Sequence, residues 1–388
     1  MKKAVAAFMA VALLMTGCVV SSGGKDSSKS GKASDKIVIG GLGPLTGKLA
    51  IYGVSSTNAM KLAFDEINKA GGIGGKQVEF KLYDDKGEAA EAVNNYKKLK
   101  DDGITALLGC ITSAPSEAVA AEAVKDKTPM VTPTGTQFNI TKDRENVFRV
   151  CFTDPFQGTM LAKYAADTVK AKKVAVMKNT SSDYSDGVAE AFKAEAKKRG
   201  LEVVAEESYG NEDTDFRAQL TNIAKENPDV LMIPDYYQIN ALIAPQAKEI
   251  GITARLLGPD GWDGIIAQFG DDKDKLKEVD GVVFTNHYSV ADTNERIQTF
   301  VKNYKAQYKE EPSAFSALSY DSVYLLKEAI EKAGSTDKAA VAKAIKEMKF
   351  SGLTGDLSFD ANNNPVKSVS MIKVSNGQYV LDSVLKPE

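Results

Sequence analysis

Five short polar loops carry most of the side chains able to do chemistry in this 388-residue chain, and each follows a run with strand character. After the strand expected over 105–108 comes Gly109-Cys110-Ile111-Thr112-Ser113-Ala114-Pro115, where Pro115 suits the first turn of a helix. The free N–H groups of that turn and the Ser113 hydroxyl make a cradle for a carboxylate. After 129–131 comes Pro133-Thr134-Gly135-Thr136, in which Gly135 permits close backbone approach and Thr136 adds a hydroxyl donor. Three further loops combine acids with aromatic rings: Ser182-Asp183-Tyr184, Asp235-Tyr236-Tyr237 and Gly258-Pro259-Asp260-Gly261-Trp262. A carboxylate such as Asp260 suits an ammonium, and aromatic faces suit a cation or an apolar group. Taken singly, a hydroxyl at a helix start is an ordinary cap and Asp in a Gly-rich turn is ordinary turn chemistry. Together, anion donors and a cation acceptor at successive strand ends fit a zwitterion.

The inventory argues against catalysis, and no catalytic, metal or cofactor residues are assigned. His287 is the only histidine, and no Gly-x-Ser-x-Gly elbow surrounds a serine. No Walker-type phosphate loop is present, so any ATP hydrolysis belongs to another subunit. A net charge of −3 with interspersed Lys and Glu gives no basic stripe for nucleic acid. Cys110 and Cys151 read as two buried thiols packing as small hydrophobes.

The elements that must position these loops follow a strand–helix rhythm. In a helix expected over 57–69, Met60, Ala63, Phe64 and Ile67 share one face, and Gly71-Gly72 stops it. A strand at 78–83 leads to a second helix with its stripe on Ala89, Ala92, Val93 and Tyr96. Further strands are expected at 37–40, 173–177, 230–233, 255–257 and 282–284. Such alternation implies parallel sheets covered on both faces, with ligands beyond the strands' carboxyl ends. The stretch 353–388 reads as a terminal hairpin or crossover.

The N-terminus reads as an export signal: Lys2 and Lys3, an apolar run over 4–15, then Thr16-Gly17-Cys18. The run is shorter than the ~20 residues that a membrane span needs. Leu14-Met15-Thr16-Gly17-Cys18 resembles a bacterial lipobox, which implies a signal peptide over 1–17 and a lipid anchor on Cys18. Ser, Gly and Lys dominate 18–35, a flexible tether. The roughly 350 residues beyond exceed what one hydrophobic core usually serves.

From about Ile37 onward the chain resembles the leucine/isoleucine/valine-binding family of type I periplasmic solute-binding proteins. The resemblance rests on Gly43-Pro44-Leu45-Thr46-Gly47, Tyr52-Gly53, Asp65-Glu66-Ile67-Asn68-Lys69-Ala70-Gly71-Gly72-Ile73, Val131-Thr132-Pro133, Tyr184 and Asp260-Gly261. It implies an α/β fold of two Rossmann-like lobes joined by three hinge crossovers, one lobe from 36–152 and 286–362 and the other from 153–285 and 363–388. It places the ligand α-carboxylate on Ser113 and the loop Thr134 to Thr136, tyrosines at Tyr184 and Tyr236, and the ammonium on Asp260. Tyr52, Ile111, Trp262 and Phe315 would line the side-chain pocket. The implied protein is a lipid-anchored monomer on the outer face of the cytoplasmic membrane. It would bind leucine, isoleucine or valine and pass it to an ABC permease and its ATPase. A sensor domain of the same fold, for an amino acid or an amide, is the alternative.

Overall fold

The computed structural model describes residues 36–270 and 272–387. The export signal, Cys18 and the tether lie outside the described residues.

The first half of the chain builds a sheet from β1 (Lys36–Gly43), α1 (Ala50–Lys69), β2 (Gln77–Asp84), α2 (Ala89–Asp101), β3 (Ala106–Leu108), α3 (Ser113–Lys125), β4 (Met130–Thr132) and β5 (Val147–Arg149). Its order is β2-β1-β3-β4-β5, and every pairing is parallel. The strands of its centre are buried on both faces, as continuous apolar runs require. α1 begins at Ala50, seven residues before the expected start at Thr57. In the early turns, Ala50-Ile51-Tyr52-Gly53-Val54-Ser55-Ser56, every residue after Ala50 is a weaker helix former, Gly53 most of all, and tertiary packing holds them. A Cβ on Gly53 would come within 1.9 Å of the Pro44 carbonyl oxygen, so helix and loop fit only through glycine.

The second sheet begins with α4 (Asp154–Tyr164), β6 (Lys173–Asn179), α5 (Asp183–Lys198), β7 (Glu202–Tyr209) and α6 (Arg217–Glu226). It continues through β8 (Val230–Met232), α7 (Tyr237–Ile250), β9 (Arg255–Gly258), the short α8 (Lys273–Leu276) and β10 (Val283–Asn286). The chain then turns back: α9 (Glu295–Tyr308), α10 (Ala314–Ala333) and α11 (Lys338–Lys346) lead to a hairpin of β11 (Phe350–Gly352) and β12 (Gly355–Leu357), and α10 packs on α1. A last hairpin, β13 (Val369–Ser375) and β14 (Gln378–Leu385), returns to the second sheet, whose order is β14-β13-β10-β9-β8-β6-β7. The hairpin read in the sequence within 353–388 adds two strands in antiparallel pairing, β13 and β14, to an otherwise parallel sheet. The two-residue connection between β13 and β14 permits only an antiparallel return. β7, absent from the expected strands, is an edge strand whose Glu202, Glu206 and Glu207 break up any apolar run.

Three segments therefore cross between the sheets, after β5, after β10 and after β12, and a buried network ties two of them. Lys367 Nζ donates to the Val150 carbonyl (3.3 Å) and to Thr354 Oγ1 (2.8 Å). Asp321 on α10 accepts from the Leu353 N–H (2.7 Å), the Thr354 N–H (2.9 Å) and Thr354 Oγ1 (2.7 Å). Burial pulls the Lys367 ammonium down to about 8, and the Asp321 carboxylate opposes that fall. Removing one partner of such a buried network leaves the other uncompensated, at a cost of about 3–5 kcal/mol. Asp321→Ala is thus expected to lower the unfolding free energy by that amount, seen as a lower urea midpoint with the m-value unchanged, and a loss below about 1 kcal/mol in equilibrium unfolding would contradict the assignment.

Candidate ligand site between the two sheets

The first sheet contributes a rigid polar shelf. Thr132 Oγ1 donates to the Cys110 carbonyl (2.7 Å) and accepts from the Gly135 N–H (2.9 Å), locking the β4 loop to the β3 loop. Gly135 is obligatory here, since a Cβ would stand 2.7 Å from both Ser116 Oγ and Thr132 Oγ1. The guanidinium of Arg149, fully buried, donates to the carbonyls of Gly135 (2.8 Å) and Gln137 (2.8 Å) and to Thr141 Oγ1 (3.0 Å). Ser113 then stands at the first residue of α3, and its Oγ accepts from the Gln137 N–H (3.3 Å). The preceding Thr112 keeps a buried hydroxyl without a partner. Thr134 donates its one proton to the Ile111 carbonyl (2.6 Å), so toward a ligand its oxygen can only accept.

The second sheet contributes a buried acid in a fixed frame. Asp260 is 2% exposed. Its Oδ1 accepts from the Tyr184 hydroxyl (2.9 Å) and from Gln157 Nε2 (3.1 Å), while Oδ2 lies 3.4 Å from His287 Nε2. Gln157 Oε1 takes the Asp260 N–H (2.9 Å) and the Thr285 hydroxyl (2.6 Å), and the Tyr184 oxygen accepts from the Gly261 N–H (2.9 Å). Tyr184 stacks on Tyr236 with centroids 4.9 Å apart. Tyr236 precedes α7 after Asp235, which is held by the Tyr209 hydroxyl (2.7 Å) and Asn179 (3.1 Å). The Tyr236 hydroxyl faces the Ser113 backbone N–H across the seam, an interaction that opposes the upward push of burial on its pKa.

Aromatic and backbone contacts join the two sides. Tyr52 stacks on Phe315 (4.2 Å, 6°), donates to the Gly261 carbonyl (2.5 Å) and presents an edge to Tyr237 (4.7 Å). At the rim the Tyr237 hydroxyl donates to the Lys48 carbonyl (2.9 Å), which Gln238 also bonds. Asp263 accepts from the Ala314 N–H at the start of α10 (2.9 Å), and burial pushes its carboxyl up to about 6.

Of the residues expected at the site, Ser113, Tyr184, Tyr236, Asp260, Tyr52 and Phe315 converge on this seam, with Thr134, Thr136 and Ile111 on the shelf beside them. Trp262 serves another end: its indole N–H donates to the Ile233 carbonyl (2.8 Å), and the ring lies over Gly258, where a Cβ would come within 1.9 Å of it. That is a packing role. Cys110 and Cys151 are both buried and free, as read. Asp154, Gln157 and His287 are site residues the loops did not reveal. Asp154 and Gln157 lie in the first turn of α4, which Pro155 helps to start, and His287 follows β10; only the geometry relates them to Asp260.

The chain matches the family model described as periplasmic binding protein over residues 36–378. It is 35% identical over 317 residues to the Leu/Ile/Val-binding protein BraC3 of Rhizobium johnstonii, covering 81% of this chain and 84% of that one. The chain belongs to the Leu/Ile/Val-binding branch of the periplasmic binding protein family. Among solved structures it resembles the leucine-binding protein LivK of Thermotoga maritima, with TM-score 0.84 and 35% identity over 90% of this chain and 99% of that one. It also resembles the branched-chain amino acid transporter substrate-binding protein LivJ of Streptococcus pneumoniae, solved with isoleucine, with TM-score 0.85 and 34% identity over 91% of this chain and all of the other. Such family members are extracytoplasmic solute-binding proteins of ABC transport systems, not enzymes.

In this binding protein His287 is enclosed, stacked on Phe152 (3.7 Å), and its Nδ1 has no partner. Burial pulls its pKa down to about 4 from 6.5 in spite of Asp260. Below pH 6.5 the unfolded chain takes up a proton that the fold refuses until pH 4. Stability from this group therefore falls as pH drops from 6.5 to 4, by on the order of 3 kcal/mol. Acids with raised pKa, such as Asp263, act oppositely in both proteins and cancel in a comparison. Thermal melts from pH 7 to pH 4 should show a shallower loss for His287→Asn than for the parent chain; parallel curves would refute it.

Proposed function

We propose that this protein captures a branched-chain amino acid, leucine, isoleucine or valine, between its two lobes and delivers it to an ABC permease. The observation that carries the reading is the pairing, across one seam, of an anion cradle with a buried acid. The cradle is the start of α3 with Ser113, and the acid is Asp260, fixed by Tyr184 and Gln157. The α-carboxylate rests on the first side and the ammonium on the second. Tyr52, Phe315, Ile111 and Tyr236 enclose the aliphatic side chain. BraC3 by name and LivJ by its bound isoleucine supply the ligand class.

Closure follows from contacts that exist only with the lobes together. Tyr52 to Gly261, Tyr237 to Lys48 and Asp263 to Ala314 all join the two sheets' loops. A ligand that touches both sides favours that arrangement by its differential affinity, and the permease reads the closed shape. The lobes divide as 36–152 with 286–362 and 153–285 with 363–388, and the protein acts as a monomer.

A panel of amino acids tested by thermal melting checks the ligand. At about 100 times its Kd a ligand adds ~2.7 kcal/mol of stability, and leucine, isoleucine or valine should do so. Asp260→Ala and Ser113→Ala should each weaken binding at least tenfold, ~1.4 kcal/mol, and the ligand-free melts verify that both variants fold, at reduced stability for Asp260→Ala because Tyr184 and Gln157 lose their acceptor. Unchanged affinity in both variants, or no shift with any aliphatic amino acid, would sink the reading.

We further propose that the protein is a lipoprotein, held at the outer face of the membrane through diacylglyceryl-modified Cys18 and the tether over 18–35. Two acyl chains give stable attachment where one gives only marginal binding. Expressed with its signal, the protein should sediment with membranes, and Cys18→Ala should appear in the soluble fraction; a Cys18→Ala protein still in the membrane pellet would contradict the anchor.

A further inference from the structure

Asp154 opens α4 and packs into the seam, 1% exposed, with both carboxylate oxygens buried and without a hydrogen-bond partner. Among the described residues no ion pair reaches it. Its backbone N–H donates to the Thr136 carbonyl (3.0 Å), which draws it against the shelf of the first sheet. The Thr136 hydroxyl faces its carboxyl without completing a hydrogen bond. The Asp260 charge acts on it, and its own charge opposes ionisation of the Tyr184 and Tyr236 hydroxyls, so it shares their end of the seam. The cation nearest in effect, Arg149, directs both terminal nitrogens to the backbone and Thr141.

A buried carboxylate with no donor costs several kcal/mol unless something neutralises it. Here two acids, Asp154 and Asp260, stand in one enclosed region, and the second is satisfied by Tyr184, Gln157 and His287. The unsatisfied one is therefore the stronger attractor for an incoming cation. An ammonium carries three N–H donors. The seam offers three acceptor groups, the Asp260 carboxylate, the Asp154 carboxylate and the Thr134 hydroxyl oxygen, whose own proton is already donated to Ile111.

We infer that Asp154 is a second carboxylate for the ligand ammonium, shared with Asp260, and that it makes the site selective for α-amino acids over the corresponding 2-oxo and 2-hydroxy acids. This rests on the amino-acid reading above and deepens it. The α-carboxylate and aliphatic side chain are common to all three ligand classes; only the ammonium meets Asp154. A 2-oxo acid entering the seam leaves Asp154 unpaired and brings a carbonyl dipole toward it.

The test measures leucine and its 2-oxo analogue, 4-methyl-2-oxopentanoate, by calorimetric titration and by melting shift at millimolar ligand, in the parent protein, Asp154→Asn and Asp260→Asn. The ligand-free melts verify folding, and Asp154→Ser replaces the Asn variant if that chain does not fold. Asp154→Asn should weaken leucine at least tenfold and the 2-oxo acid no more than twofold, so the preference for the amine collapses. A residue that only holds the loop in place would weaken both ligands alike, and that result, or leucine affinity within twofold of the parent, overturns the inference. Loss with Asp260→Asn alone would leave the amino-acid reading standing without Asp154. A parent protein indifferent to leucine and every other aliphatic amino acid would remove the ligand reading itself.

Discussion

The buried carboxylate of Asp260 is the constraint around which the second sheet's carboxyl ends are arranged. An acid taken out of water survives only with donors in place, and the chain recruits them from three separate stretches: Tyr184 at the start of α5, Gln157 in α4, itself held by the Thr285 hydroxyl of β10, and His287 just beyond β10. Two of these donors are themselves committed elsewhere. Tyr184 accepts from Gly261 and stacks on Tyr236, and Gln157 holds the Asp260 backbone as well as its side chain. The result is an anion whose position is set before any ligand arrives, which is what pre-organised recognition of a cation requires.

The same loop also governs how the lobes meet. Gly261 and Asp263 flank the packed Trp262, and each bonds the opposite side, Gly261 to Tyr52 and Asp263 to the start of α10. The indole of Trp262, buried over Gly258 and bonded to Ile233, fixes the loop between these two contacts. A residue that resembles a pocket wall in sequence thus works one layer down. On the proposed reading, recognition of the ammonium and docking of the lobes share one short segment, so a change in either is transmitted to the other without any long pathway.

The alternation of strands and helices, and hence two sheets with loops facing each other, was legible because buried parallel strands are short apolar runs closed by glycine or polar turns. Ser113, Tyr184, Tyr236 and Asp260 could be singled out for the same reason: they follow such runs directly. The early turns of α1 were not legible, since Gly53 and Ser55 argue against a helix and tertiary contacts with the Pro44 loop, Tyr304 and α10 hold them. β7 was hidden by the glutamates of an exposed edge. Asp154, Gln157 and His287 were out of reach for a different cause. They enter the site from crossover segments, and a crossover's side chains acquire meaning only when both sheets are in place.

Polar and apolar parts of this seam discriminate with unequal power. On the proposed reading, along the aromatic and aliphatic wall of Tyr52, Phe315 and Ile111 one methylene more or less is worth about 1–3 kcal/mol, so leucine, isoleucine and valine would be separated weakly. At the charged end of the proposed site, a ligand that lacks the ammonium would leave the Asp154 carboxyl unpaired, and sites built on buried hydrogen bonding reject such analogues by ~10⁴-fold or more. A binding protein with one deep acidic pole and a soft aromatic wall is therefore strict about what class of molecule it accepts and lenient about which member. Strictness of that kind follows from the cost of an unpaired charge, and leniency from the shallow energetics of hydrocarbon contact.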